Sequence, residues 1–163
     1  MLIMKTLVLG IGNTLLSDEG SGVHVVEYLR RLHPETDELR YLDGGTLSFT
    51  LAADIEASDH LIVVDAAQLG ESPGAVRCFL DADMDRFLGT ARHSVHEVGL
   101  LDLMDIARLT DTLPARRALI GIQPESLGWG GTPSPAVARA IPEAAERVLG
   151  LLDDWRLRQR GRV

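Results

Sequence analysis

The chain has 163 residues, 45% of them hydrophobic, and carries 16 basic against 24 acidic side chains for a net charge of −8. That length buries one core without disulfides, and the single cysteine, Cys78, excludes both an internal disulfide and a thiolate zinc site. The negative charge disfavours nucleic acid and anionic membrane surfaces, no apolar run approaches the roughly 18–20 residues of a membrane span, and the opening Met1-Leu2-Ile3-Met4-Lys5 lacks the order of a secretory leader, so a single-domain cytoplasmic protein is expected.

Thr6-Leu7-Val8-Leu9, closed by Gly10-Ile11-Gly12-Asn13, reads as a central strand buried on both faces. From Ser21, residues Val23, Val26 and Leu29 fall at helical spacing, with Arg30 and Arg31 placed to suit the helix dipole before Pro34. A short strand over 39–42 stops at Asp43-Gly44-Gly45, and a second helix follows over about 47–57 from the cap Thr46. Leu61-Ile62-Val63-Val64 is a β-branched strand ending at Asp65-Ala66-Ala67. Ser72-Pro73-Gly74 is turn chemistry, and the strand over 75–80 comes too soon for a crossover helix, so it should run antiparallel. Residues 81–92 are polar without a firm period. Leu100, Leu101, Met104 and Leu109 support a long helix starting near 96–99, and Ala118-Leu119-Ile120-Gly121-Ile122 supplies the last strand. Ser134-Pro135 caps and opens a terminal helix through Val137, Ile141, Val148 and Leu152, with a kink expected at Pro142 and a frayed basic tail over 156–163. The alternation predicts a three-layer α/β/α domain over 1–163: a five-stranded, mostly parallel twisted sheet, order 2-1-3 at its centre, with one antiparallel strand and helices on both faces.

Open α/β sheets form their functional crevice beyond the carboxyl ends of the strands. Asp18 and Glu19 follow the first strand, and Asp43 and Asp65 directly follow the second and third, so a 2-1-3 order gathers acids along one rim. With strands about 4.8 Å apart, carboxylates on neighbours can share a cation that removes their repulsion. His96, at the start of the long helix, offers a neutral imidazole. Two carboxylates and an imidazole suit a borderline transition metal and leave positions open for water or substrate. By position alone, helix caps and turn formers are the commoner use of such residues. The Gly10/Gly12 pair lacks the third glycine of a dinucleotide fingerprint, and Asp18-Glu19 would repel phosphate, which disfavours a nucleotide-binding module. Ser94-Val95-His96 has no Gly-x-Ser-x-Gly elbow around it, and Cys78 lies within a strand as a small hydrophobe.

Gly10-Ile11-Gly12-Asn13-Thr14-Leu15-Leu16-Ser17-Asp18-Glu19-Gly20-Ser21-Gly22-Val23-His24, then Asp43-Gly44-Gly45-Thr46, His60-Leu61-Ile62-Val63-Val64-Asp65-Ala66, Ser94-Val95-His96-Glu97-Val98-Gly99-Leu100 and Gly121-Ile122-Gln123-Pro124-Glu125 form five blocks that together resemble the hydrogenase maturation proteases. The resemblance implies an endopeptidase that removes the C-terminal extension of a nickel–iron hydrogenase large-subunit precursor after nickel insertion. It implies Glu19, Asp65 and His96 as the metal-contacting and catalytic set, with Asp18 and Asp43 at acidic positions that assist without an assigned role. The resemblance implies nickel carried by the precursor, another divalent transition metal able to fill the site in isolation, and a monomer. A non-catalytic nickel or large-subunit chaperone would use the same ligands. Two routes to peptide cleavage stay open: polarisation of the scissile carbonyl by the metal, or a water held by Asp65 or Asp18 as general base.

Overall fold

The computed structural model describes residues 3–90 and 95–161, the side chains of residues 95–98 excepted. Strands β1 (Thr6–Ile11), β2 (Leu39–Gly45), β3 (His60–Ala66), β4 (Val76–Leu80) and β5 (Arg116–Ile122) form one sheet in the order β2-β1-β3-β5-β4. β1 pairs in parallel with β2 and β3, β3 pairs in parallel with β5, and β4 runs antiparallel to β5. The mostly parallel sheet with one reversed strand is thus as expected. Helices α1 (Ser21–Leu32) and α5 (Pro135–Arg160) cover one face, and α2 (Leu51–Glu56), α3 (Ala82–Thr90) and α4 (Val95–Leu109) the other.

Alternation along the strands builds both cores. Val8, Ile62 and Ile120 pack with Val26, Leu29 and Val148 on the α1/α5 side. Leu7, Leu9, Leu61 and Val63 pack with Leu100 and Met104 on the other. With both faces covered, β1 and β3 are buried along their whole length. The α1 backbone lies close to the strand ends: a Cβ at Gly22 would fall 2.0 Å from the Val64 carbonyl oxygen, so only glycine permits this approach.

Several boundaries differ from the sequence expectations. α2 begins at Leu51 rather than near 47, because Leu47 itself takes a positive φ of 58° in the turn that precedes the helix. α3 occupies part of 81–92, where no period was evident; only Met84 and Leu88, one turn apart, are buried, too few to mark a stripe. α5 runs unbroken through Pro142 and stays helical to Arg160. Over 156–160 the expected fraying is therefore corrected, with the Arg158–Asp154 pair at 3.1 Å and the approach of Arg156 to Glu38 at 3.8 Å supporting that stretch, while residues 162 and 163 lie outside the described residues. Among the described residues, no helix is long and apolar enough to cross a membrane.

Candidate active site

From β1 the chain crosses to β2 at one side, and from β3 it proceeds to β5 at the other. The strand order therefore reverses between β1 and β3, and the crevice of an open α/β sheet lies there. A 3₁₀ turn, Ser17–Gly20, packs against β3 at this point and presents Asp18 and Glu19. Gly12 makes the turn possible. Its φ is +134°, and a Cβ there would lie 1.8 Å from the Glu19 carbonyl oxygen. Its N–H donates to the Gly45 carbonyl at 2.8 Å, which ties the β1 exit to the end of β2.

Asp65 is the penultimate residue of β3, not the first residue beyond it. It pairs with Gly121 and shares the sheet face of Leu61 and Val63, the face that carries α4. Its side chain is 1% exposed, and among the described residues neither carboxylate oxygen has a hydrogen-bond partner. Burial pushes its pKa well above the usual carboxylate range; the Ala66 N–H opposes the rise, and the nearby Glu19 charge adds a smaller increment to it. A buried carboxylate with no donor is unstable as an isolated anion; it is relieved by a proton or by a cation. These donor types, with Glu19 beside them, fit a divalent transition metal.

Asp18, the immediate neighbour of Glu19, faces the other way. It is fully buried, and four hydrogen bonds converge on its carboxylate. Oδ2 accepts from the N–H groups of Glu125 (2.8 Å) and Ser126 (2.9 Å) and from the Ser134 hydroxyl (2.8 Å), while Oδ1 accepts from the Ser134 N–H (2.6 Å). Burial alone would raise its pKa, but these donors outweigh it and hold the carboxyl below its ordinary value. The Ser134 hydroxyl, expected to cap α5, is spent on Asp18 and makes no cap bond.

Asp43 lies inside β2 and alternates with Leu39 and Tyr41, on the sheet face opposite Asp65. Its Oδ1 accepts from Gly45 N–H at 2.8 Å, the local turn-forming use of an aspartate. The rim thus gathers Asp18, Glu19, Asp43 and Asp65 at one end of the sheet, with Asp18 and Asp43 bound to backbone N–H groups and the Glu19 charge near enough to Asp65 to raise its pKa. His96 falls in the first turn of α4 on the Asp65 face; its side chain lies outside the described residues. Among the described residues no three His, Cys, Asp or Glu side chains form a cation site. An apolar groove opens beside α4, lined by Leu47, Ser48, Phe49, Gly99, Asp102 and Leu103.

The sequence did not disclose the 125–134 loop as part of this end of the molecule. Its contacts with Asp18 span separations of 107 to 116 residues, and no local motif encodes them.

Residues 23–151 match the model of the HycI family, described as hydrogenase maturation protease. The chain belongs to the hydrogenase maturation protease family. It is 40% identical over 152 residues to the hydrogenase expression/formation protein HupD of Rhodobacter capsulatus, covering 93% of this chain and 72% of that protein. To the hydrogenase 2 maturation protease of Escherichia coli K12 it is 38% identical, covering 91% of each. Among solved structures, the hydrogenase maturating endopeptidase HybD from E. coli superposes with a TM-score of 0.87 at 37% identity, covering 93% of both chains. A family protein from Thermococcus kodakarensis, also called HybD, gives 0.78 at 26% identity, covering 91% of this chain and 99% of that one. This hydrogenase maturation protease is therefore a peptide-bond hydrolase with a role in hydrogenase maturation, and its fold is the fold of the family.

Proposed function

We propose that this protease removes the C-terminal extension of a nickel–iron hydrogenase large-subunit precursor, and that nickel already seated in the precursor is the feature it reads before cutting. The observation that carries this reading is the orphaned carboxylate of Asp65, buried beside Glu19 at the switch point of the sheet. Such a group is poised for a cation that arrives with the substrate. Glu19, Asp65 and His96 would contact it. A metal held there supplies Lewis-acid polarisation of a carbonyl. Asp65 is 1% exposed, so the rim must open for the precursor to reach it.

Of the two carboxylates considered for holding an attacking water, Asp65 is the better base. Its raised pKa gives it proton affinity, whereas Asp18 has a lowered pKa and is already bound by four hydrogen bonds to the 125–134 loop. We therefore assign Asp18 a holding role and Asp43 a turn-forming one. Intact-mass measurement of purified precursor, prepared with and without nickel and incubated with the protease, tests the proposal. Loss of the extension only from nickel-loaded precursor is expected. Equal cutting of both forms removes the nickel reading, and an unchanged mass in both marks a chaperone. Alanine at Glu19, Asp65 or His96 should lower the cutting rate at least about 100-fold with the fold intact; normal processing by all three variants overturns the assignment.

A further inference from the structure

The rim also carries large apolar side chains in solvent. Trp129 is 84% exposed, Leu15 60% and Leu127 47%. Their backbones are joined. Gly130 N–H donates to the Leu15 carbonyl and Ser17 N–H to the Gly130 carbonyl, both at 2.9 Å, and the Ser17 hydroxyl donates to the Gly128 carbonyl at 2.8 Å. Asp18 grips the same loop at both ends, through Glu125 and Ser126 on one side and Ser134 on the other. An exposed tryptophan on a slack loop would mean little. Here the loop is fastened to the very turn that presents Glu19, so Trp129 stands in solvent at a fixed place beside the crevice.

Large aromatic side chains held rigidly at a surface are the usual anchors of protein interfaces, because little freedom remains to be lost on binding. Scattered exposed hydrophobes need no explanation, but three on one fastened unit, contiguous with an active site whose substrate is a protein, do. We infer that Leu15, Leu127 and Trp129 form the docking surface for the folded body of the large-subunit precursor, with Trp129 as its anchor. The matching surface is apolar and lies next to the segment being cut. The body is the favoured occupant over the extension, since a flexible tail loses about 1–2 kcal/mol of backbone entropy for each residue it orders, whereas a folded surface meets the fixed patch without that loss. This inference rests on the substrate proposed above.

The test uses the intact protease and a large subunit from which the extension has been deleted, so that no cutting intervenes, with affinity measured by calorimetry. Binding by the wild type is expected. Trp129→Ser and Leu127→Ser should each raise Kd about tenfold or more with unchanged melting temperature, because both side chains are already in solvent. Leu109→Ser, at an 87% exposed position where α4 ends ahead of the amino end of β5, away from the rim, should leave Kd unchanged. The proposal is overturned if the truncated subunit does not bind, if Trp129→Ser binds as the wild type does, if Leu109→Ser weakens binding equally, or if the isolated extension peptide displaces the subunit. The outcome is independent of nickel: failure of metal-gated cutting leaves these affinities as they are, and loss of the docking effect leaves nickel-dependent cutting standing.

Discussion

Asp65 and Asp18 are both buried aspartates at one end of the sheet, and their surroundings push their carboxyl groups in opposite directions. Around Asp65 burial outweighs the opposing Ala66 N–H, so its folded-state pKa is raised above the unfolded value near 3.8. A raised pKa contributes stability that is complete below the unfolded value and is lost as pH rises through the folded one. At neutral pH the ionisable group therefore opposes folding, and Asp65→Asn should be more stable than the wild type by on the order of 1 kcal/mol while losing peptidase activity. In a melting experiment at pH 7 that is a rise of about 2–4 °C for a chain of this size; a fall would contradict the account of Asp65 as an uncompensated group. Asp18 behaves in the reverse sense. Its lowered pKa contributes stability that is present above the unfolded value and disappears as pH falls through the folded one. Asp18→Ala leaves the N–H groups of Glu125, Ser126 and Ser134 without their acceptor, at a cost of about 3–5 kcal/mol. Denaturant unfolding of wild type and variant should show that difference at pH 7 and a smaller one in acid, where the wild-type carboxyl is itself protonated.

At the level of elements, the turn between β1 and α1 joins sequence to chemistry most directly. Gly12 was legible as a tight turn, but no local pattern shows what the turn approaches. That is the Glu19 carbonyl, 1.8 Å from where a Cβ would stand. Gly12→Ala must displace Glu19 or abandon its φ of +134°, a conformation that costs a non-glycine residue about 1–3 kcal/mol. The expected outcome is a folded protein with peptidase activity reduced at least tenfold, and a fully active Gly12→Ala variant would show that Glu19 need not sit where the turn puts it. The strands were readable because burial on both faces of β1 and β3 requires unbroken apolar runs. α3 was not, because a nine-residue helix with two buried side chains writes almost no period. Ser134 carried the right signal for the wrong partner: a serine before a proline marks a helix start, while its hydroxyl serves a carboxylate 116 residues away. The placement of Glu19 and Asp65 at the rim was legible from strand ends alone, whereas the hydrogen bonds that hold Asp18 and Asp43 depend on which way each side chain turns, a matter of pairing and packing that no local pattern records.

For the molecule as a whole, the proposed site makes stability, metal and pH one linked system. A cation that binds the folded state and not the unfolded one raises stability by RT ln(1 + [L]/Kd), about 2.7 kcal/mol at a hundredfold excess over Kd. It must compete with the proton for Asp65, whose raised pKa keeps the two in contest at higher pH than an ordinary aspartate would. Divalent nickel added to the purified protein should therefore raise its melting temperature, and the rise should grow with pH as the carboxyl gives up its proton. Asp65→Asn separates this from nonspecific binding to a surface of net charge −8, because the variant keeps every other acid. Its melting temperature, higher than that of the wild type without metal, should be indifferent to nickel at every pH. The two curves then converge or cross as nickel is added at high pH and stay apart at low pH. Equal nickel shifts in both proteins would place the cation away from β3 and remove the physical basis for reading nickel at this rim.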